Sequence, residues 1–168
     1  MCSVLFFLVH VIDFLVSLTV ENSFFNGRDC VAGIGGVIEN CVFKGIINGE
    51  RYSGGIVGSN QGEVIKYRNE GDAEVNCIMG GGVVGQNQGY GCVRQCVNMG
   101  FVTGKGDALG SVVGQCDGIV DDCYYLQPEE VNPALNGIGN LTGEYFSKRI
   151  HAVDTKENLE SIYQNFFK

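Results

Sequence analysis

The 168-residue chain has no tryptophan, two prolines and two histidines, and only 18% of its residues are charged. So little proline excludes a collagen-like chain, and a hydrophobic content of 45% excludes generic disorder. The 26 glycines therefore belong to an apolar, folded chain and not to a polar linker. Basic residues are scarce as well: 11 Lys and Arg stand against 19 Asp and Glu, a net charge of −8. That sign is wrong for neutralising nucleic-acid phosphates or for sitting on anionic lipid, so nucleic acid is not an expected partner. Helical periodicity is missing too, because no apolar spacing of three and four runs through the glycine-punctuated middle of the chain. The length suits one domain with a single buried core.

What the chain does have is repetition. GGIVGSNQG (Gly54 to Gly62), GGVVGQNQG (Gly81 to Gly89) and GSVVGQCDG (Gly110 to Gly118) begin 27 and 29 residues apart. A second element follows each and also occurs upstream: TVENSFFNG (Thr19 to Gly27), VIENCVFKG (Val37 to Gly45), EVIKYRNEG (Glu63 to Gly71), CVRQCVNMG (Cys92 to Gly100) and IVDDCYYLQ (Ile119 to Gln127). Stacking these five copies gives a β-branched column, Val20, Ile38, Val64, Val93 and Val120, which suits strands packed on a crowded interior. A polar column, Asn22, Asn40, Lys66, Gln95 and Asp122, is expected outside. The next column holds Ser23, Cys41, Tyr67, Cys96 and Cys123. The last holds Gly27, Gly45, Gly71 and Gly100, then Gln127, and marks a turn or a close backbone approach.

A unit of 18 to 29 residues with short β-rich segments cannot bury its apolar side alone, but it can on stacked neighbours. The expected fold is therefore all-β, a parallel right-handed β-solenoid of four to five coils over residues 18–126, with strands about 4.8 Å apart. An apolar segment, residues 1–17, precedes it, and a C-terminal cap with one amphipathic helix, residues 127–168, follows it.

The GG[IV]VGxNxG element followed by V/I-x-x-C-x-N-x-G resembles the bacterial GLUG repeat, over Gly33 to Leu126 and more weakly over Leu18 to Gly27. Departures are Tyr67 at a position for a small, Cys-like residue, Ser111 for a glycine, and Cys116 where Asn60 and Asn87 stand in the other copies. The resemblance implies a module of large secreted or surface-anchored proteins, among them adhesin-like proteins and the non-catalytic regions of IgA-specific metallopeptidases. It implies no activity.

Cys2 to Ser17 are apolar apart from His10, Asp13 and the small polar residues, and read either as a secretory signal or anchor, or as a buried first strand of a chain cut from something larger. No Lys or Arg precedes the run, and Asp13 in a spanning helix would cost about 2.5 to 3.5 kcal/mol. At the other end the repeat signals stop after Gln127, where Pro128 and Pro133 appear. Asp154 three residues before Glu157 predicts a helix start, and Leu159, Ile162, Tyr163, Phe166 and Phe167 predict its apolar face, lying against the solenoid.

Chemistry is sparse. Cys96 and Cys123 fall on adjacent coils, near enough to bond, while a stack of buried free thiols fits a narrow interior and is the preferred reading. Cys92 and Cys96 are four apart, both histidines lie outside the repeats and no CxxC pair occurs, so no metal is expected. Asp117, Asp121 and Asp122 lack calcium-loop spacing and read as a solvated face. Asp121 and Asp122, as strand neighbours, should point to opposite faces and could not flank one bond. No catalytic residue and no cofactor are assigned.

The expected function is a non-catalytic repeat module of a secreted or surface-displayed bacterial protein, a spacer or an adhesive surface. The alternatives are a small carbohydrate-active β-helix protein, or a fragment of a larger peptidase or adhesin without separate function. Candidate ligand contacts are the outward face of Glu39, Ile65, Arg94 and Asp121, or the turns at Ser59 to Gln61 and Gln86 to Gln88. A host or matrix glycan or protein is the expected partner.

Overall fold

A computed structural model describes residues 15–16, 19–27, 30–32, 38–39, 42–75, 78–128, 135–143 and 148–168. The chain winds as a parallel β-solenoid of about four turns, followed by one helix. Each coil contributes to three sheets. One four-stranded sheet stacks Cys30–Ala32, Tyr52–Gly54, Met79–Gly81 and Ala108–Gly110. A second stacks Val57–Asn60, Val84–Asn87, Val113–Cys116 and Ile138–Leu141. The third, with twelve strands, carries the outward face singled out above.

The β-branched column is the spine of the core. Val64, Val93 and Val120 pair in register and are completely buried, as are Ile56, Val83 and Val112 in the bends just before the strands of the second four-stranded sheet. Ile38 precedes Glu39, which pairs with Ile65, and so stands in register with Val64. Val20 does not: it pairs with Phe43, and Leu15 takes the place beside Ile38. A full coil separates Leu15 from Ile38, so an 18-residue offset reaches only part of the way round and joins residues from different sides of the coil. Gly27 accordingly pairs with Gly49 and not with Gly45, past a register shift between Glu21 and Phe24. Residues 1–14 and 17, which the signal, anchor or first-strand readings concern, lie outside the described residues, as do Asn40 and Cys41.

Tyr67, Cys96 and Cys123 form a second buried column, closed by Ile150, which pairs with Cys123. Cys92, Cys96, Cys116 and Cys123 are buried free thiols. Burial pushes the Cys123 thiol well up, away from the reactive thiolate.

The polar column, expected outside, is partly exposed at Lys66, Gln95 and Asp122. It stands at a corner, and Lys66, Gln95 and Asp122, together with Arg149 one coil on, adopt φ of 52 to 58°, the left-handed region. Glycine, meanwhile, is placed mainly where a Cβ has no room. A Cβ on Gly85 would meet the Gly58 oxygen at 2.6 Å and the Ser53 nitrogen at 2.7 Å, so the two four-stranded sheets touch there backbone to backbone. One on Gly100 would strike the Gly71 oxygen of the preceding coil. At Gln95 the corner makes the cost of a substitution depend on its shape. Gln95→Asn should be tolerated, and Gln95→Val should lower stability by about 1 to 2 kcal/mol in chemical denaturation, since a β-branched residue resists positive φ.

The repeat does not stop at Gln127. Ile138–Leu141 pairs with Val113–Cys116, and Lys148–Val153 pairs with the strand Ile119–Leu126, which adds a further coil before the helix. The helix, α1 (Lys156–Asn165), starts one residue later than the Asp154 pattern suggested: Thr155 is the N-cap, its Oγ1 accepting from the Asn158 N–H, while Asp154 accepts from the Asn158 side chain. Leu159 and Tyr163 bury themselves on the flank against Val97, Met99 and Leu126, across several coils. Arg68, only 17% exposed, pins it there by donating to Glu160 at 2.6 Å with its guanidinium over the Tyr163 ring.

Candidate functional site

The sequence-derived face exists as a line. Glu39 pairs with Ile65, Ile65 with Arg94, Arg94 with Asp121, and Asp121 with Lys148. The residues fall at the same place on successive coils because Val64, Val93 and Val120 point inward and strand alternation sends the next side chain outward. Arg94, Gln95, Asp121, Asp122 and Arg149 line a shallow depression of about 280 Å³ on this face.

Its electrostatics are those of a closed ion pair. Arg149 donates through Nε (3.1 Å) and Nη2 (2.8 Å) to the two carboxylate oxygens of Asp121. This hydrogen bonding holds the Asp121 carboxyl below the usual carboxylate range. Asp122 does not point away as strand alternation predicted. Its left-handed backbone breaks the alternation and brings Oδ1 to 3.9 Å from Arg149 Nη1, so both carboxylates converge on one guanidinium. Tyr124 donates its hydroxyl to Asp122 Oδ1 at 3.0 Å, and burial, reinforced by that carboxylate, raises the Tyr124 phenol.

A carboxyl held low by a bidentate arginine is a poor proton donor near neutrality, and the guanidinium occupies the space between the two acids. Folding lowers the Asp121 pKa, so its small stabilisation is complete above the ordinary carboxylate value and is lost as pH falls through the folded one. Asp121→Asn should therefore lower stability slightly at pH 7 and leave it unchanged in strong acid, as urea melts at the two pH values would show.

The turns at Ser59 to Gln61 and Gln86 to Gln88 are half consumed by the fold. Asn60 and Asn87 belong to a buried amide ladder, with Asn60 Nδ2 donating to Asn87 Oδ1 at 2.8 Å and Asn87 Nδ2 to Cys116 Sγ at 3.7 Å. Cys116 does stand at the asparagine position of the third copy. A second ladder, Asn69 to Asn98 at 2.7 Å, was missed, although the recurring Asn-x-Gly spacing signals it. In each unit the glycine N–H donates back to the asparagine Oδ1, as Gly71 does to Asn69 and Gly100 to Asn98. Gln61 and Gln88 remain outside. Among the described residues no three His, Cys, Asp or Glu side chains gather as a metal-ligand set, and no helix is long and apolar enough to cross a membrane.

No protein-family model, no curated protein and no solved structure matches the chain.

Proposed function

We propose that the chain is a non-catalytic, GLUG-like repeat module of a secreted or surface-displayed bacterial protein, a spacer whose regular outward ladders present side chains to a ligand. The observation that carries this reading is the division of labour between the two sides of the strands. Inward positions are consumed by the valine spine, the thiol column and the asparagine ladders. Ile65, Arg94 and Asp121 are left in register along one outward line, with Glu39 at the same register one coil before. Family resemblance supplies the setting, and a host or matrix glycan or protein is the class of partner. The closed Asp121–Arg149 pair supports binding over turnover.

The test is a pull-down from extracellular-matrix and glycan panels with the intact chain and with a variant changed at Ile65, Arg94 and Asp121. Specific capture by the intact chain, lost in the variant at unchanged melting temperature, is the expected result. Hydrolysis of any captured polysaccharide that disappears in Asp121→Asn would replace this reading with a carbohydrate-active enzyme.

A further inference from the structure

A second outward face differs from the first in having almost no charge. On the sheet of Val57–Asn60, Val84–Asn87, Val113–Cys116 and Ile138–Leu141, the outward residues Ser59, Gln86, Gln115 and Asn140 pair in register from coil to coil. Four rungs span about 14 Å at strand spacing. Three of the four side chains are held in order by neighbours: Gln88 Nε2 donates to Ser59 Oγ at 2.9 Å and to Gln86 Oε1 at 3.4 Å, and Gln115 Nε2 donates to Thr142 Oγ1 at 3.2 Å. Asp117, the acidic residue beside this row, accepts from the Thr142 hydroxyl. In a chain of net charge −8 such an uncharged row stands out.

At its rim stands Tyr90. Gln88 N–H donates to Asn60 and Cys92 N–H to Gly62, so Gly89, Tyr90 and Gly91 occupy the place that Gly62 fills alone in the coil before and Gly118 in the coil after. The two extra residues add nothing to the core, and Tyr90 is 95% exposed. An insertion that projects a whole aromatic ring into water, next to a row of pre-ordered amides, is not required by the stacking.

We infer that this amide face, with Tyr90 at its edge, binds an uncharged polysaccharide chain lying along the solenoid axis. Each amide offers both a donor and an acceptor, which matches hydroxyl groups that need both, and a free tyrosine ring offers an apolar face to the C–H side of a sugar. The absence of a field of one sign selects against polyanions and polycations. This inference rests on the reading of the chain as a ligand-presenting surface and names the face and the ligand class.

Titration calorimetry with hexasaccharides of β-1,4-glucan, α-1,4-glucan and β-1,4-mannan, with hexagalacturonate and a heparin hexasaccharide as charged probes, tests it. At least one neutral probe should bind, with affinity unchanged between about 50 and 500 mM salt. Tyr90→Ala, and Gln86→Ala combined with Gln115→Ala, should each weaken that binding at least about tenfold at unchanged melting temperature, whereas Lys105→Ala, at an exposed residue outside both faces, should not. Binding of charged probes alone, of no neutral probe at millimolar concentration, or equally well by Tyr90→Ala would overturn the inference. A saccharide lost only in Arg94 or Asp121 variants would overturn it and leave the presenting module intact, and so would a protein, captured through Tyr90, in place of any saccharide. Cleavage of a probe would instead overturn the non-catalytic reading.

Discussion

Gly85→Ala is expected to remove most of the stability of the fold, at a cost above about 4 kcal/mol. The atoms that a Cβ would strike are the Gly58 oxygen and both the nitrogen and the oxygen of Ser53, all backbone and all within 2.9 Å. No side chain can rotate away, so the two sheets must separate along the stack, and the neighbouring Gly114 faces Gly85 and Gly80 in the same way. Set against a usual folding stability of about 5 to 15 kcal/mol, that leaves little. Gly89→Ala is the matched control, because nothing lies within 4 Å of its Cβ, and it should change stability by less than about 0.5 kcal/mol. Urea denaturation of the pair reads the difference directly.

Asn98→Ala should be the next most damaging change, at about 2 to 4 kcal/mol. Asn98 is almost wholly buried and its amide has every valence in use: Nδ2 donates to the Gly100 oxygen at 2.9 Å and the Ser111 oxygen at 2.8 Å. Its Oδ1 accepts from Asn69 Nδ2 and from the Gly100 N–H. Truncation strands the Gly100 N–H and removes the rung that joins two coils. Gln115→Ala, on the outer side of a neighbouring sheet, should cost less than about 0.5 kcal/mol, and hydrogen exchange should show the loss at Asn98 spreading to the turns of adjacent coils.

The legible parts of this fold are those in which one residue type solves one problem. Val64, Val93 and Val120 had to be interior because β-branched side chains repeat at the coil period, and Arg94 and Asp121 then had to be outside by alternation. The left-handed backbone of Lys66, Gln95 and Asp122 was not legible, because positive φ is usually announced by glycine or asparagine and neither stands there. The last coil was hidden for another reason. LNGIGNLTG (Leu135 to Gly143) keeps the small residue at Gly139 and the apolar rung at Ile138, but it carries Leu141 at the asparagine position. Its strand signal is therefore spread over pairing partners and not held in the letters. The first copy failed by register: TVENSFFNG looks like the second element, yet Val20 pairs with Phe43 and, past a register shift, Phe24 and Phe25 pair with Ile46 and Ile47. Of the candidate site, the line Glu39, Ile65, Arg94 and Asp121 was readable from the alignment. Arg149, which ties Asp121 and Asp122 together, was not, because the coil that supplies it had not been recognised.

The central claim is that the outward faces of this solenoid bind without chemistry. Incubating the purified chain with polysaccharides, neutral and acidic, while recording bound ligand and newly formed reducing or unsaturated ends in the same samples, tests it most directly. The account predicts retained ligand with no new ends above the protein-free control. New ends that vanish in Asp121→Asn or Asp122→Asn would contradict it.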